Sequence, residues 1–558
     1  MSAVSESQDI EQATAAIEQA TAAIQQPDNK TRRYDRQLRL WAASGQNALE
    51  ASRILVLSSS ATATAVLKNL VLPGIGHFTI LDSAVTSPAD AGNNFFLAGP
   101  SSIGKPRAHE AVPLLRELND SVEGEAVVKD VRELLKTDEG RAFVSGFSLV
   151  IAHNLRKDTL DELSKLLWAD HSNPPLIAVR SAGFLAEFFI QYHERCVAQP
   201  HTDDNVPSLR IIRPFPALSK WASELDFDKL DPTEHGHVPF VIILVRAVED
   251  WKKTHDGKLP STTPERKAFK EQIAAMRKKI DEENFDEAEA QVWRIWRDPP
   301  VPGAIQSLFS LAPPSDSPNA VFHALLQTLN AFVAAPDGPG CLPLSGALPD
   351  MRTDTESYVR LQTVYKDWAA VEKAKFKELL QKGFPDLAPT ISDEEIDTFV
   401  KNAHHVRVLR GRRWSEWDAD KEALASSLTI SPRETAAHLG LAALSALLNK
   451  APGKRCRTGT SDHASRGCVA DGSTVTVDGL RAEVQQLVGQ DIELPEDVDT
   501  AIGEIARAPT ADLPNTAAFL GGMVAQEAIK MITKQYVPVN GYCVIDMVDM
   551  WTGTVGGQ

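Results

Sequence analysis

The residues with the clearest chemical potential follow a short apolar run at 53–57. A loop that binds a nucleotide phosphate at this place needs glycine, because a Cβ would keep the phosphate away from the backbone amides. The six residues found there contain no glycine: they are Ser58, Ser59, Ser60, Ala61, Thr62 and Ala63. Their small side chains suit close packing of a helix on a strand. The sequence therefore predicts the fold of a nucleotide site without its phosphate binding.

Asp82 is the second such residue, since it closes another apolar run at 77–81. Between the two runs, residues 61–72 show the periodicity of a helix with one apolar face. A strand, a helix and a strand within about 30 residues, closed by an acid, form the layout of a nucleotide-binding βαβ unit. Apolar runs at 148–152 and 176–179 predict further strands of an open, largely parallel sheet.

The rest of the chain changes pattern twice. Long stretches with helical periodicity follow the sheet region, and the last fifty residues return to a helix and an apolar strand. The predicted fold class is α/β, a doubly wound domain split by a large, mainly helical insertion. Its parts are a disordered tail at 1–29, the first part of the α/β domain at 30–204, the insertion at 205–505 and the second part at 506–558.

Several motifs resemble those of ubiquitin-activating-type enzymes. They are Tyr34-Asp35-Arg36-Gln37-Leu38-Arg39-Leu40-Trp41, Gly92-Asn93-Asn94-Phe95-Phe96-Leu97 and Phe519-Leu520-Gly521-Gly522-Met523. Within that family, Asp281-Glu282-Glu283-Asn284-Phe285 and Leu348-Pro349-Asp350-Met351 are similar to the regulatory subunits of heterodimeric Nedd/Rub-activating enzymes. The resemblance covers about 31–555. It implies a Rossmann-like pseudo-adenylation domain, with a catalytic-cysteine-like insertion that lacks the cysteine.

Three departures from the active members of this family fall in one half-site. Active members carry a Gly-rich loop where this chain has 58–63, and an arginine where it has Asn94. They also place a magnesium-handling aspartate after the fourth strand, where this chain has His153. Asp82 matches the ribose-binding acid of the family, and we expect it only to cap its strand. The resemblance thus implies a catalytically incomplete chain, with ATP and magnesium bound by a partner subunit.

Arg36 is the residue expected to keep a role at the active site. In this family, the arginine after Tyr-Asp reaches across the dimer towards the ATP phosphates of the other half, and the resemblance carries that role to Arg36. A guanidinium suits it because it stays charged and binds phosphate oxygens as a fork. The alternative is a structural salt bridge, as for its neighbours Arg33 and Arg39.

The five cysteines offer no nucleophile by their sequence setting. Cys341 lies in a Pro/Gly-rich connector and Cys543 in an apolar strand, and neither setting lowers a thiol pKa. Cys456, His463 and Cys468 fit no common zinc spacing, so no metal site is predicted. The odd count of cysteines fits a reducing compartment. The catalytic cysteine is expected in the partner.

Composition and charge limit the kinds of partner and the cellular compartment that we expect for this chain. The chain has a net charge of −17 and a pI near 5.4, which argues against nucleic acid as its main ligand. It shows no apolar run of about 18 residues or more and no secretory signal, so no membrane contact is expected. We expect a soluble protein of the cytoplasm and nucleus.

These observations lead to one expected function and three rivals. We expect a regulatory subunit that supports ATP-dependent adenylation of a Nedd/Rub-type modifier and thioester transfer to the partner's cysteine, upstream of cullin neddylation. Its partners would be the cysteine-bearing catalytic subunit, the modifier and a cognate conjugating enzyme. The rivals are a subunit for another modifier such as SUMO, a scaffold or adaptor without a share in catalysis, and an oxidoreductase with a divergent Rossmann loop.

Overall fold

A computed structural model describes residues 28–200, 208–296, 301–311, 318–336, 338–450 and 475–557. The tail predicted over 1–29 lies outside these residues, apart from Asp28 and Asn29 at the start of the first described helix. Cys456, His463 and Cys468 also lie outside them. No helix of the described residues is long and apolar enough to cross a membrane.

The strands of the described chain form one large sheet and one small one. The large sheet has the strand order β10-β9-β6-β5-β4-β1-β2-β3, and β7 pairs with β8 in the small one. The strands are β1 Arg53–Leu57, β2 His77–Leu81, β3 Glu123–Val127, β4 Leu149–His153, β5 Leu176–Ala182, β6 Leu185–Gln191, β7 Glu194–Val197, β8 Arg407–Arg410, β9 Tyr542–Asp546 and β10 Trp551–Val555.

Helices cover both faces of the large sheet and build the middle of the chain. They are α1 Asn29–Glu50, α2 Ala61–Val71, α3 Pro88–Asn93, α4 Arg107–Arg116, α5 Val131–Leu135, α6 Asp138–Ser145, α7 Lys157–Trp168, α8 Pro216–Glu224, α9 Pro232–Gly236, α10 Phe240–Thr254, α11 Thr263–Ala275, α12 Glu283–Ala290, α13 Trp293–Trp296, α14 Gly303–Leu308, α15 Ala320–Ala334, α16 Thr355–Gly383, α17 Asp393–Lys401, α18 Lys421–Ile430, α19 Pro432–Lys450, α20 Val477–Val488, α21 Glu496–Arg507 and α22 Pro514–Thr533.

The βαβ unit predicted from the sequence is confirmed. β1 and β2 span the predicted residues and run parallel, with α2 between them. The sheet is mixed rather than simply parallel, because β5, β6, β9 and β10 pair antiparallel in succession. The fold class, an α/β sheet with a mainly helical insertion, is confirmed.

Successive side chains along the strands point to opposite faces of the sheet, so the sheet has one core on each face. On β1, Ile54 and Val56 join the core that contains α2 and α22, whereas Leu55 and Leu57 join the other. Besides residues of the sheet, that second core contains apolar side chains from Trp414 to Ile505, which lie mainly on α18 to α21. These helices share a core with the sheet, although the sequence assigned them to the insertion. Two further cores lie between 209 and 406.

Candidate functional site

The loop between β1 and α2 is closed by hydrogen bonds within the chain. Ser60 is the N-cap of α2, and its hydroxyl accepts the amide of Ala63 at 3.1 Å. The Ser60 amide donates to the Ser58 hydroxyl at 3.2 Å. Ser58 has a φ of +146°, in a region of backbone conformation that favours glycine. The loop thus keeps a backbone conformation that favours glycine. The hydroxyls of Ser58 and Ser60 accept hydrogen bonds from backbone amides of the same loop.

The N-terminus of α2 carries a carboxylate from the far end of the chain. Asp512 accepts the Thr62 amide with Oδ2 at 3.1 Å and the Thr62 hydroxyl with Oδ1 at 2.6 Å. The free amides of a helix N-terminus and the positive end of its dipole attract an anion. Asp512 supplies that anion from a position 450 residues away in the sequence.

Asp82 directly follows β2, as predicted, and binds two backbone amides and an arginine. It accepts the amides of Ser59 at 2.8 Å and Ala84 at 2.9 Å. It also pairs with Arg107, whose Nη2 lies 2.8 Å from Oδ2. Burial lowers the pKa of the Arg107 guanidinium, but Asp82 and Asp90 outweigh burial and raise it. The carboxylate therefore holds the loop and the partly buried Arg107.

Asn94 packs behind the same loop, in the place where active members of the resembled family carry arginine. Its side chain is buried; it donates to the Ser59 carbonyl at 3.1 Å and accepts the Thr64 hydroxyl at 2.9 Å. The amide of Phe96 donates to the same Oδ1 at 2.9 Å. An uncharged amide in this position ties the loop to α2 and brings no positive charge to the site.

His153 ends β4 and joins two hydroxyls. Its Nδ1 lies 2.7 Å from the Ser60 Oγ, and its Nε2 lies 2.9 Å from the Ser181 Oγ. Burial lowers the pKa of His153, and the charge of Arg107 lowers it further, against an opposing effect of Asp512. A neutral imidazole engaged at both nitrogens does not replace a carboxylate, which is the ligand that magnesium prefers.

The loop, Asp82 and His153 line one cleft of about 1200 Å³. Fold and packing thus bring Ser58–Ala63, Asp82, Asn94 and His153 together. Two further residues of the site, Asp512 and Arg107, were not singled out from the sequence. The signal for Arg107 was a basic residue at a helix start, which is too common to be specific.

Arg36 lies elsewhere, on the amino-terminal part of α1. This helix is broken at Trp41 and Ala42, which have non-helical backbone angles. Tyr34, on the same part, is buried, and its hydroxyl accepts the Asn119 amide at 2.9 Å. Arg33 pairs with Asp120 at 2.7 Å. These contacts fix the amino-terminal part of α1 on the sheet domain.

The Arg36 side chain is exposed, and no described residue pairs with it. Arg39, one turn further on, forms an ion pair with Asp35 at 3.0 Å. The predicted alternative, a structural salt bridge, therefore applies to Arg33 and Arg39 within the described chain but not to Arg36. Within the part of the chain that the structure describes, the guanidinium of Arg36 is left for another group to bind.

The described cysteines are all buried. Burial raises the pKa of Cys543 to about 12 and also raises the pKa of Cys196. Cys196 lies near Glu194 and His323, which share a hydrogen bond of 2.8 Å. A thiol with a raised pKa carries little thiolate at neutral pH, so neither cysteine has the setting of an activated nucleophile.

Comparison with known proteins places this geometry in a family. The ThiF family model matches residues 34–199. The chain is 34% identical to the NEDD8-activating enzyme E1 regulatory subunit of Xenopus laevis, over 92% of this chain and 96% of that one. The corresponding values are 33%, 94% and 98% for the Danio rerio protein of the same name. They are 32%, 93% and 96% for that of Drosophila melanogaster.

The chain belongs to the family of NEDD8-activating enzyme E1 regulatory subunits.

Membership of this E1 regulatory-subunit family confirms the resemblance drawn from the motifs. The ThiF match covers β1 to β7 and so contains the cleft, apart from the residues that later segments contribute. In this member of the E1 regulatory subunits, Asp512 lines the cleft of the adenylation-like domain and binds Thr62 at the N-terminus of α2.

Proposed function

We propose that this chain is the non-catalytic subunit of a heterodimer that activates a Nedd/Rub-type modifier. The observation that carries the proposal is the Asp512 carboxylate on Thr62, at the helix N-terminus where a nucleotide phosphate would bind. The amides of Ser59 and Ala63 are also engaged, by Asp82 and Ser60. The residues present do not fit an ATP–magnesium group, so we derive no adenylation step on this chain.

The partner subunit would bind ATP and magnesium, adenylate the modifier and hold it as a cysteine thioester. This chain would complete the architecture of that site and contribute Arg36 to the phosphates of the partner-bound ATP. The helical insertion would form one wall of the cleft around the partner's cysteine, and a cognate conjugating enzyme would accept the modifier. The names of the relatives support an assembly with a catalytic subunit, and we place the heterodimer in the cytoplasm and nucleus.

The rival functions are less well supported. The relatives reported above are named for NEDD8, so a subunit for SUMO gains nothing from them. An oxidoreductase would need a dinucleotide phosphate at the α2 N-terminus, where Asp512 already lies. A scaffold without a share in catalysis differs from our proposal in one measurable way, the role of Arg36.

The test replaces Arg36 by alanine in the reconstituted heterodimer. We expect modifier-dependent ATP–pyrophosphate exchange to fall by about 10- to 100-fold, because one charged donor to the phosphates is lost. Arg39→Ala is the matched control: it removes a charge one turn away, and its exposed ion pair with Asp35 contributes little stability.

Both variants should form the heterodimer to the same extent, which gel filtration checks. An unchanged exchange rate for Arg36→Ala, with Arg39→Ala also unchanged, would reject the active-site role and favour the scaffold.

A further inference from the structure

The position of Asp512 is fixed before any ligand arrives. The segment between α21 and α22 lines the cleft with residues 508–512. The turn between β5 and β6 holds this connection, since the Gly183 amide donates to the Ala511 carbonyl at 3.1 Å. The Thr516 hydroxyl, in the first turn of α22, donates to the Gly183 carbonyl at 2.8 Å. Hydrogen bonds before and after Asp512 in the sequence therefore hold its carboxylate at the N-terminus of α2.

The contact that Asp512 makes is the one an anionic ligand would make. Both of its oxygens bind Thr62, one at the amide and one at the hydroxyl. The helix whose N-terminus Asp512 binds, α2, has 11 residues and is long enough for a substantial dipole. In the same loop, the Ser59 hydroxyl is fully buried and has no hydrogen-bond partner among the described residues. The loop thus holds one hydrogen-bonding group that the described residues do not use.

The surroundings favour a phosphate once the carboxylate is gone. The exposed Lys129, which no described carboxylate pairs, lines the cleft. Arg107, paired with Asp82 and Asp90, and Arg156, 3.7 Å from Asp158, line it too. A phosphate oxygen and the Asp512 carboxylate cannot share the Thr62 amide, because both are anions and accept the same hydrogen. Asp512 therefore excludes phosphate by charge and by occupancy together.

We propose that Asp512 is the specificity-determining residue that keeps phosphoryl anions out of this cleft. Without it, the N-terminus of α2 binds a phosphate or pyrophosphate group. The inference rests on the proposed function and deepens it, since it names the residue that replaces the nucleotide phosphate. A purely structural role, in which Asp512 only joins α22 to α2, predicts loss of stability without any gain of binding.

The experiment measures thermal unfolding of the full chain in increasing concentrations of inorganic pyrophosphate and of ATP. The wild-type midpoint should not respond to either. Asp512→Ala should lower the midpoint by about 2–4 °C, since a helix-capping carboxylate is lost. Pyrophosphate should then raise it in proportion to the logarithm of its concentration, as ligand linkage requires. Asp512→Ser, which keeps a short polar group, should respond in the same direction and serves if the alanine variant folds poorly.

Thr62→Val is the matched control. It removes one hydrogen bond to Asp512 and leaves the carboxylate in place, so its midpoint should fall without recovery in pyrophosphate. If the Asp512 variants also lose stability without recovery, the exclusion role is wrong while the proposed function stands. If the wild-type chain responds to ATP, the proposal of a non-catalytic half-site fails instead.

Discussion

At the scale of single residues, the clearest feature outside the cleft is a buried cluster of charges that joins β6 to α19. His438 Nδ1 lies 2.8 Å from Glu187 Oε2, and its Nε2 lies 3.2 Å from Asp418 Oδ1. Arg180 donates to Glu187 at 2.5 Å. Burial opposes the charge on His438, but Glu187 and Asp418 outweigh it and raise the pKa of His438 to about 9. Two cations thus balance two carboxylates inside the core.

This cluster predicts a pH dependence of stability. The pKa of His438 is higher in the folded chain than its ordinary value of 6.5. Its contribution to the free energy of unfolding is therefore complete below pH 6.5. It is lost as the pH rises through about 9, and the free energy of unfolding should fall by roughly 3 kcal/mol over that range. Urea unfolding followed at several pH values between 6.5 and 9 measures the slope.

His438→Gln should remove most of that slope and lower stability at pH 6.5, because Glu187 and Asp418 lose one of the two cations that balance them. His109→Gln is the control, since His109 is exposed on α4. The same slope in wild type and His438→Gln would show that another group titrates.

At the scale of elements, the break in α1 sets where Arg36 stands. The two parts of the helix meet at Trp41, whose carbonyl accepts the Gln535 amide at 2.9 Å. Gly74 makes room for the amino-terminal part: a Cβ there would lie 2.5 Å from the Tyr34 hydroxyl. Close approach of this turn to Tyr34 therefore requires glycine at 74, which also has a φ of +87°.

Tyr34→Ala should release the amino-terminal part of α1. The change removes a fully packed ring and its hydrogen bond to Asn119, at a cost of about 3 kcal/mol that falls mainly on this segment. Proteolysis within residues 29–40 should become faster, while the unfolding midpoint of the sheet changes little.

Pyrophosphate exchange by the heterodimer should fall as in Arg36→Ala, although Arg36 is intact. The control is Arg39→Ala, whose hydrogen bonds and ion pairs among the described residues are all with Asp35 at an exposed position. Full exchange activity in a protease-sensitive Tyr34→Ala variant would show that a fixed α1 is not needed.

At the scale of the whole molecule, the two ends of the α/β domain are joined by α2 and α22. These helices make the most extensive helix–helix contact in the described chain, on the same face of the sheet. The contact depends on Gly521, because a Cβ there would lie 2.8 Å from the backbone carbon of Ala65. Asp512 lies just before α22, so this packing also sets where its carboxylate meets Thr62.

The adjacent glycines of α22 give a matched pair of variants. Gly521→Ala should lower the free energy of unfolding by about 1–3 kcal/mol, since backbone must move to accept the methyl group. Gly522→Ala meets no atom within 4 Å and should be neutral or stabilise by up to about 1 kcal/mol, because alanine favours the helix. Denaturant unfolding of both variants tests the pair, and equal effects would contradict the packing argument.

The sequence predicted the elements whose signals are local. β1, α2 and β2 follow from apolar runs and helical periodicity. β6 was missed, although Gly183, with a φ of +58°, marks the turn that pairs it with β5. The helices between 414 and 505 were assigned to the insertion because helical periodicity does not reveal which core a face packs against.

The sequence by itself determined which groups are missing from the cleft. A loop without glycine, an asparagine at 94 and a histidine at 153 can be read directly, because residue type decides what each can bind. Only the tertiary structure decided what stands in their place. Asp512 reaches Thr62 across 450 residues, and no described residue pairs with Arg36, whereas Arg33 and Arg39 are both paired. The contact of Asp512 with Thr62 depends on how α22 packs on α2, and neither periodicity nor spacing in the sequence encodes that packing.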